Sequence, residues 1–219
     1  MAKVLLGLTG SVAAIRTPEL YAQLKRAGHQ VKVVATEASL YFFDPALLDP
    51  LDSVRPARNA SIVVLDGDEW PGRTAGKRYV RDEPVLHIEL RRWADALVIA
   101  PLDANTLAKL ANGLADNCLT CVWRAWDTTR PVILAPAMNT LMWEHPLTRR
   151  HLQQLALDTG SPLPERLDLD STVDWINANC PKLRVVPPQS KRLACGDVGM
   201  GALAALEELV SAVGALVKP

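Results

Sequence analysis

Four short apolar runs, at residues 4–8, 31–35, 96–100 and 132–135, constrain this chain more than any other feature. A strand with one wet face alternates apolar and polar residues. An unbroken apolar run therefore predicts burial on both faces, as in a parallel sheet. Helical patterns separate the runs, over 12–27 (with Pro18 near its start), 105–113 and 117–126, and further helices are expected over 140–157 and 203–217. Strands alternating with helices predict a three-layer α/β fold with right-handed crossovers. With 219 residues the chain suits one sizeable core and one domain, 1–219. Two stretches fit poorly. Residues 44–84 read as mostly loop with a strand at 62–65, and 158–182 read as irregular.

Charge narrows the function classes. Twenty-four basic residues balance twenty-four acidic ones, so no net field draws the chain to nucleic acid or an anionic membrane. No run approaches the roughly eighteen apolar residues of a membrane span. Four cysteines, at 118, 121, 180 and 195, are too few and too uneven for a secreted disulfide scaffold, so a cytoplasmic protein is expected. Cys118 and Cys121 form a C-x-x-C, but no second ligand pair accompanies it; they read as small buried residues, and no metal is expected.

Polar strings follow all four apolar runs, at the strand ends where open α/β sheets hold ligands. After the first, Gly7-Leu-Thr-Gly-Ser-Val-Ala13 offers backbone N–H groups and a hydroxyl. It is neither G-x-G-x-x-G nor a P-loop, and reads equally as an anion cradle or a tight turn. Thr36 and Ser39 follow the second run and can add hydroxyls to the same site. Asp103, Asn105 and Thr106 follow the third; they can cap the next helix or bond the edge of a flat heterocycle. After the fourth run comes Pro136-Ala-Met-Asn-Thr-Leu-Met-Trp143, which puts Asn139 just past a strand end. His87 lies among apolar residues and by itself reads as structural. Cys195 is sharper: Leu193-Ala-Cys-Gly-Asp-Val-Gly-Met-Gly201 has glycine at three of its last six positions, the composition of a mobile flap carrying a thiol.

Taken together these strings resemble the homo-oligomeric flavin-containing cysteine decarboxylases, and within them the phosphopantothenoylcysteine decarboxylase branch. The strongest stretches are 10–14, 82–127 (with His87-Ile-Glu-Leu-Arg-Arg-Trp-Ala-Asp95), 136–143 and 191–201. The resemblance implies a Rossmann-like, flavodoxin-like sheet and an FMN cofactor. Gly10, Ser11, Val12, Thr36, Ser39, Asp103, Ala104, Asn105, Thr106 and Ala137 would contact FMN. His87, Asn139 and Cys195 would be catalytic. Asn139, Met142, Arg192 and Ala194 would meet the substrate, the last two within a flap near 187–201. A homotrimer, or a multiple of trimers, with its sites near subunit interfaces is implied as well.

The implied reaction is decarboxylation of 4′-phosphopantothenoyl-L-cysteine to 4′-phosphopantetheine in coenzyme A biosynthesis. A simple amino-acid carboxylate leaves reluctantly because its carbanion has no electron sink. Oxidising the cysteinyl CH₂–SH to a thioaldehyde creates one, and the enethiolate left after CO₂ loss is then reduced. His87 would serve as base or charge partner, Asn139 would hold the carboxylate, and Cys195 would protonate the enethiolate. A peptide cysteine decarboxylase or a flavin prenyltransferase on the same scaffold is the rival enzyme reading; Cys195 in its Gly-Asp flap speaks against both. A non-catalytic regulatory relative is the other rival. Residues 158–182 depart from the family pattern and read as a surface insertion.

Overall fold

The computed structural model describes residues 1–49, 61–192 and 198–217. Eight strands are present among them: β1 Lys3–Leu8, β2 Gln30–Ala35, β3 Val63–Leu65, β4 Ala96–Leu102, β5 Val132–Pro136, β6 Leu183–Val185, β7 Gln189–Arg192 and β8 Val198–Ala202. The α-helices are α1 Thr17–Arg26, α2 Asp66–Glu69, α3 Leu86–Trp93, α4 Ala104–Asn112, α5 Cys118–Arg124, α6 Thr140–Trp143, α7 Pro146–Asp158, α8 Leu169–Asn179 and α9 Leu206–Leu216. The first six strands form one parallel sheet in the order β3-β2-β1-β4-β5-β6. The chain winds outward one way from β1 and the other way from β4. Its topological switch point therefore lies between their carboxyl ends.

Alternate strand residues face opposite sides, which splits the core in two. Leu5, Val34, Leu97, Ile99 and Leu134 pack on one face with residues of α3, α4, α5, α7 and α8. Val4, Leu6, Val33, Val98 and Ile133 pack on the other with α1 and α9. All seven residues of β4 are buried, as the unbroken run demands. Each fully covered leucine contributes about 2 kcal/mol of transfer free energy. No helix among the described residues is long and apolar enough to cross a membrane.

Several elements differ from the sequence expectation, each for a local reason. The 12–27 pattern splits into a 3₁₀ turn, Val12–Arg16, followed by α1, whose first turn accommodates Pro18 because no partner is needed for the missing N–H. The 140–157 pattern breaks at His145. That residue precedes Pro146 and is extended (φ −62°, ψ 138°), and its Nδ1 accepts the Leu147 N–H at 3.2 Å to start α7 afresh. The last helix starts at Leu206, three residues later than expected. Residues 158–182 are not wholly irregular, since they contain α8, capped by the Asp168 carboxylate accepting the Ser171 N–H at 2.8 Å. Asn177 of α8 grips the sixth strand, its Nδ2 donating to Val185 O and its Oδ1 accepting the Val185 N–H, both at 2.8 Å. At three residues, one of them Arg184, β6 is too short to show in the sequence. Gly113 ends α4 in the left-handed conformation (φ 70°), a geometry glycine adopts without a Cβ penalty.

The antiparallel β7–β8 hairpin stands apart from the main sheet but is fastened to it. The Met138 N–H donates to Gly201 O at 3.0 Å, laying β8 along the segment that carries Asn139. At Gly201 (φ 151°) a Cβ would collide with the Met138 carbonyl oxygen, and at Gly199 it would come within 2.6 Å of Thr140 Oγ1. Only glycine permits that approach at either position.

Candidate active site at the sheet switch point

A cavity of about 540 Å³ opens at the switch point. The turn after β1 supplies Gly10, Ser11 and Val12 to its wall. Asp103, Ala104 and Asn105 come from the start of α4, and Ala137, Asn139 and Met142 from the segment after β5. Arg16, Phe42, Lys191 and Leu203 line it too, beside Ala13, Ile15, Met138, Gly201 and Ala202; sequence reasoning missed the first four, because they come from helical turns and the hairpin region rather than from the ends of the main-sheet strands.

Hydrogen bonds join the three strand ends. Thr9 is buried, its hydroxyl donating to Pro101 O at 2.8 Å and accepting the Asp103 N–H at 2.7 Å. Asp103 Oδ1 accepts the Thr106 N–H at 2.7 Å, so Asp103 is both a helix cap and part of the cavity wall. Ser11 caps the following 3₁₀ turn. A Cβ at Gly10 would lie 2.8 Å from Ala38 Cβ and 3.3 Å from Asp103 Oδ2. Three segments therefore converge on a bare backbone at that point. Asn139 Oδ1 accepts the Leu141 N–H at 2.9 Å, which orients the amide with Nδ2 as its donating end.

Not every expected residue reaches this wall. Thr36, Ser39 and Thr106 are buried beside it rather than lining it. Ser39 Oγ donates to Thr36 O at 2.6 Å, while Thr36 Oγ1 is buried with no hydrogen-bond partner. Arg192 belongs to β7 by its backbone. Ala194 and Cys195 lie outside the described residues. His87 is not in the wall either. It sits at the start of α3, a helix packed against the opposite face of the sheet from α1 and α9.

His87 is instead held by Glu69, a residue that sequence reasoning left inside a loop. The Glu69 side chain is fully buried. Its Oε1 lies 2.5 Å from His87 Nδ1, and its Oε2 accepts the His87 backbone N–H at 3.1 Å. Burial first, then the nearby Glu69 charge, push the Cys118 thiol strongly upward, so it stays protonated. Burial likewise raises Cys121. The C-x-x-C is thus a pair of protonated thiols. Asp66, itself raised chiefly by burial, accepts N–H groups from Glu37 at 2.8 Å and Cys118 at 3.2 Å and so ties α2 to its neighbours. A second cavity, about 480 Å³, adjoins Glu69, Trp70, Tyr79 and Val85.

The family model described as Flavoprotein matches residues 1–218. This chain belongs to the flavoprotein family. Among curated relatives, phosphopantothenoylcysteine decarboxylase of Mus musculus is 41% identical over 98% of this chain and 86% of its own length. Its namesake in Arabidopsis thaliana is 45% identical over 92% and 78%. A solved PPC decarboxylase, a cysteine-to-serine variant complexed with pantothenoylaminoethenethiol, is 42% identical, covers 97% of this chain and 96% of its own, and superposes with a TM-score of 0.73. The FMN binding protein AtHal3 gives 43%, 99%, 96% and 0.70. The parallel sheet of this flavoprotein is thus the flavodoxin-like fold of those structures.

The residues present suit a flavin mononucleotide. The cavity has the volume of a cofactor site, with Val12, Phe42, Ala137 and Leu203 as an apolar wall for a flat ring. The first-turn N–H groups of α4 at Ala104 and Asn105 lack helical acceptors and sit at the cavity edge. Thr36 Oγ1 is buried without a partner, two residues before the Ala38 that packs against the bare Gly10 backbone, and offers a donor for a phosphate.

Proposed function

We propose that this flavoprotein is an FMN-dependent phosphopantothenoylcysteine decarboxylase, converting 4′-phosphopantothenoyl-L-cysteine to 4′-phosphopantetheine in coenzyme A biosynthesis. One observation carries the reading: Gly10, Asp103 and Asn139, from three separate strand ends, converge on one cofactor-sized cavity. Near-full-length identity above 40% to proteins of that name supports it.

When bound, FMN supplies a two-electron acceptor for the substrate's cysteinyl carbon, and later the donor that restores the saturated product. The chain's own groups handle protons and position. His87 takes the thiol proton at Nε2. Asn139 Nδ2 holds the carboxylate in place until CO₂ departs. Cys195 protonates the resulting enethiolate. Arg16 and Lys191 bring positive charge to the cavity, which suits a phosphorylated acid. Arg192 and Ala194 would meet the substrate beside Met142. The enethiol held by the cysteine-to-serine PPC decarboxylase accords with the role given to Cys195.

The assembly proposed is a homotrimer or a multiple of it, in which one copy's His87 completes another's cavity. Supporting this are the absence of His87 from its own cavity wall and the exposed apolar residues Ile15, Leu141 and Met142. The chain acts as one flavoprotein domain, and 158–182 is part of it rather than surface decoration, because Val173 and Ile176 of α8 are buried in the core. A cytoplasmic location accords with the free thiols of Cys118, Cys121 and Cys180.

The test uses purified holoprotein with phosphopantothenoylcysteine. Wild type should be yellow, release CO₂ and yield phosphopantetheine. Cys195→Ser should still release CO₂ but accumulate the unreduced enethiol. A protein that takes up no FMN, or releases no CO₂, ends the proposal.

A further inference from the structure

Glu69 has no place in the reaction scheme above, yet its carboxylate is fully buried. A carboxylate with no side-chain exposure must be surrounded by donors, and this one is. The His87 backbone N–H reaches Oε2 at 3.1 Å, and His87 Nδ1 lies 2.5 Å from Oε1. An ionised carboxylate can only accept, so the short contact requires the ring proton on Nδ1. In the neutral ring the lone pair is then left on Nε2, and the side chain keeps partial exposure.

The scaffold around Glu69 is built to hold it there. α2 spans only four residues, and its ends are pinned. Asp66 accepts N–H groups from Glu37 and Cys118, and Asp68 Oδ2 accepts the Leu65 N–H at 2.8 Å. The His87 N–H that Glu69 accepts belongs to the first turn of α3, where a backbone donor has no helical partner. One carboxylate therefore fixes both the position of the residue and the tautomer of its ring.

We propose that Glu69 is a positioning residue for His87: it holds the imidazole in the Nδ1–H tautomer with Nε2 as the basic nitrogen. This rests on the decarboxylase reading in one respect only, the use of His87 as base. Glu69→Gln tests the idea with nearly unchanged shape. The glutamine oxygen must accept the His87 backbone N–H, which turns its NH₂ group toward Nδ1. Two donors cannot face each other, so the ring proton moves to Nε2 and the base is lost.

The readout is ¹⁵N NMR of histidine-labelled holoprotein, with His87→Asn to assign the signal, beside stopped-flow reduction of the bound flavin by phosphopantothenoylcysteine. Wild type should show Nδ1–H at His87, and Glu69→Gln should show Nε2–H. Flavin reduction at saturating substrate should fall at least about tenfold, within the range of lost general-base catalysis, while KM stays within about threefold. Glu69→Asp, which keeps the charge, should recover the Nδ1–H tautomer and part of the rate. A wild-type ring protonated on Nε2 overturns the proposal even if no variant folds, and so does a Glu69→Gln protein with unchanged tautomer and rate. If the tautomer switches as expected but wild type releases no CO₂, the positioning role stands and the decarboxylase reading fails.

Discussion

Replacing Gly201 with alanine should detach the hairpin from the site while sparing the core. The new methyl would clash with the Met138 carbonyl oxygen, with Thr140 N only 3.3 Å away. It would also sit on a backbone at φ 151°, a region that L-residues other than glycine rarely adopt. Holding a side chain there costs about 1–3 kcal/mol. Escape means giving up the 3.0 Å bond from the Met138 N–H to Gly201 O, worth about 0.5–1.5 kcal/mol. The two together come to about 1.5–4.5 kcal/mol against the docked hairpin. At about 1.4 kcal/mol per tenfold, that is a loss of roughly tenfold to a thousandfold in any equilibrium that needs the hairpin in place. Because Gly201, Ala202 and Leu203 line the main cavity, FMN affinity is such an equilibrium. Titration of apoprotein by flavin fluorescence should show the loss, while the core transition in urea moves little. Gly160→Ala is the control: its φ is 81°, but nothing lies within 4 Å of the added Cβ, so it should leave FMN affinity alone. Affinity within twofold of wild type in Gly201→Ala would refute the docking argument.

Two further outcomes follow from the structure. Arg130 Nη1 donates to Arg91 O at 3.0 Å and Ala94 O at 2.8 Å, satisfying the carboxyl end of α3; Arg130→Ala should cost about 1–3 kcal/mol, read as a lower Tm, with Arg130→Lys recovering only part because one ammonium replaces a planar fork. His29 is held below its ordinary value of 6.5, first by burial and then by the N-terminal charge. As pH falls below 6.5 the unfolded chain gains a proton that the folded one resists, so stability should drop across that window and be flat above it. Urea titrations at stepped pH should find that limb shallower in His29→Gln.

Much of this architecture could be read before any coordinates, and the reason is locality. Burial on both faces leaves an unbroken apolar run in one strand, visible at 4–8 and 96–100 without knowing what covers it. Polar residues directly after those runs fall at the sheet's carboxyl edge whatever the details, so Gly10, Asp103 and Asn139 were legible as site candidates. Short or interrupted elements were not: three residues of β6 and the break at His145 depend on neighbours and on one proline.

What the amino-acid order determined alone was the class of fold, a parallel sheet between helices, and the strand-end residues that meet at its crevice. Tertiary structure decided the rest, because the deciding contacts join residues far apart along the chain. Glu69 finds His87 across eighteen positions, inside a stretch with no periodicity to announce it. Thr9 bonds Asp103 across ninety-four, and β8 settles on Met138 only because two glycines leave room. A pattern in sequence records which face a residue prefers. Which partner it meets there is set only when the sheet order and the helix crossovers are complete.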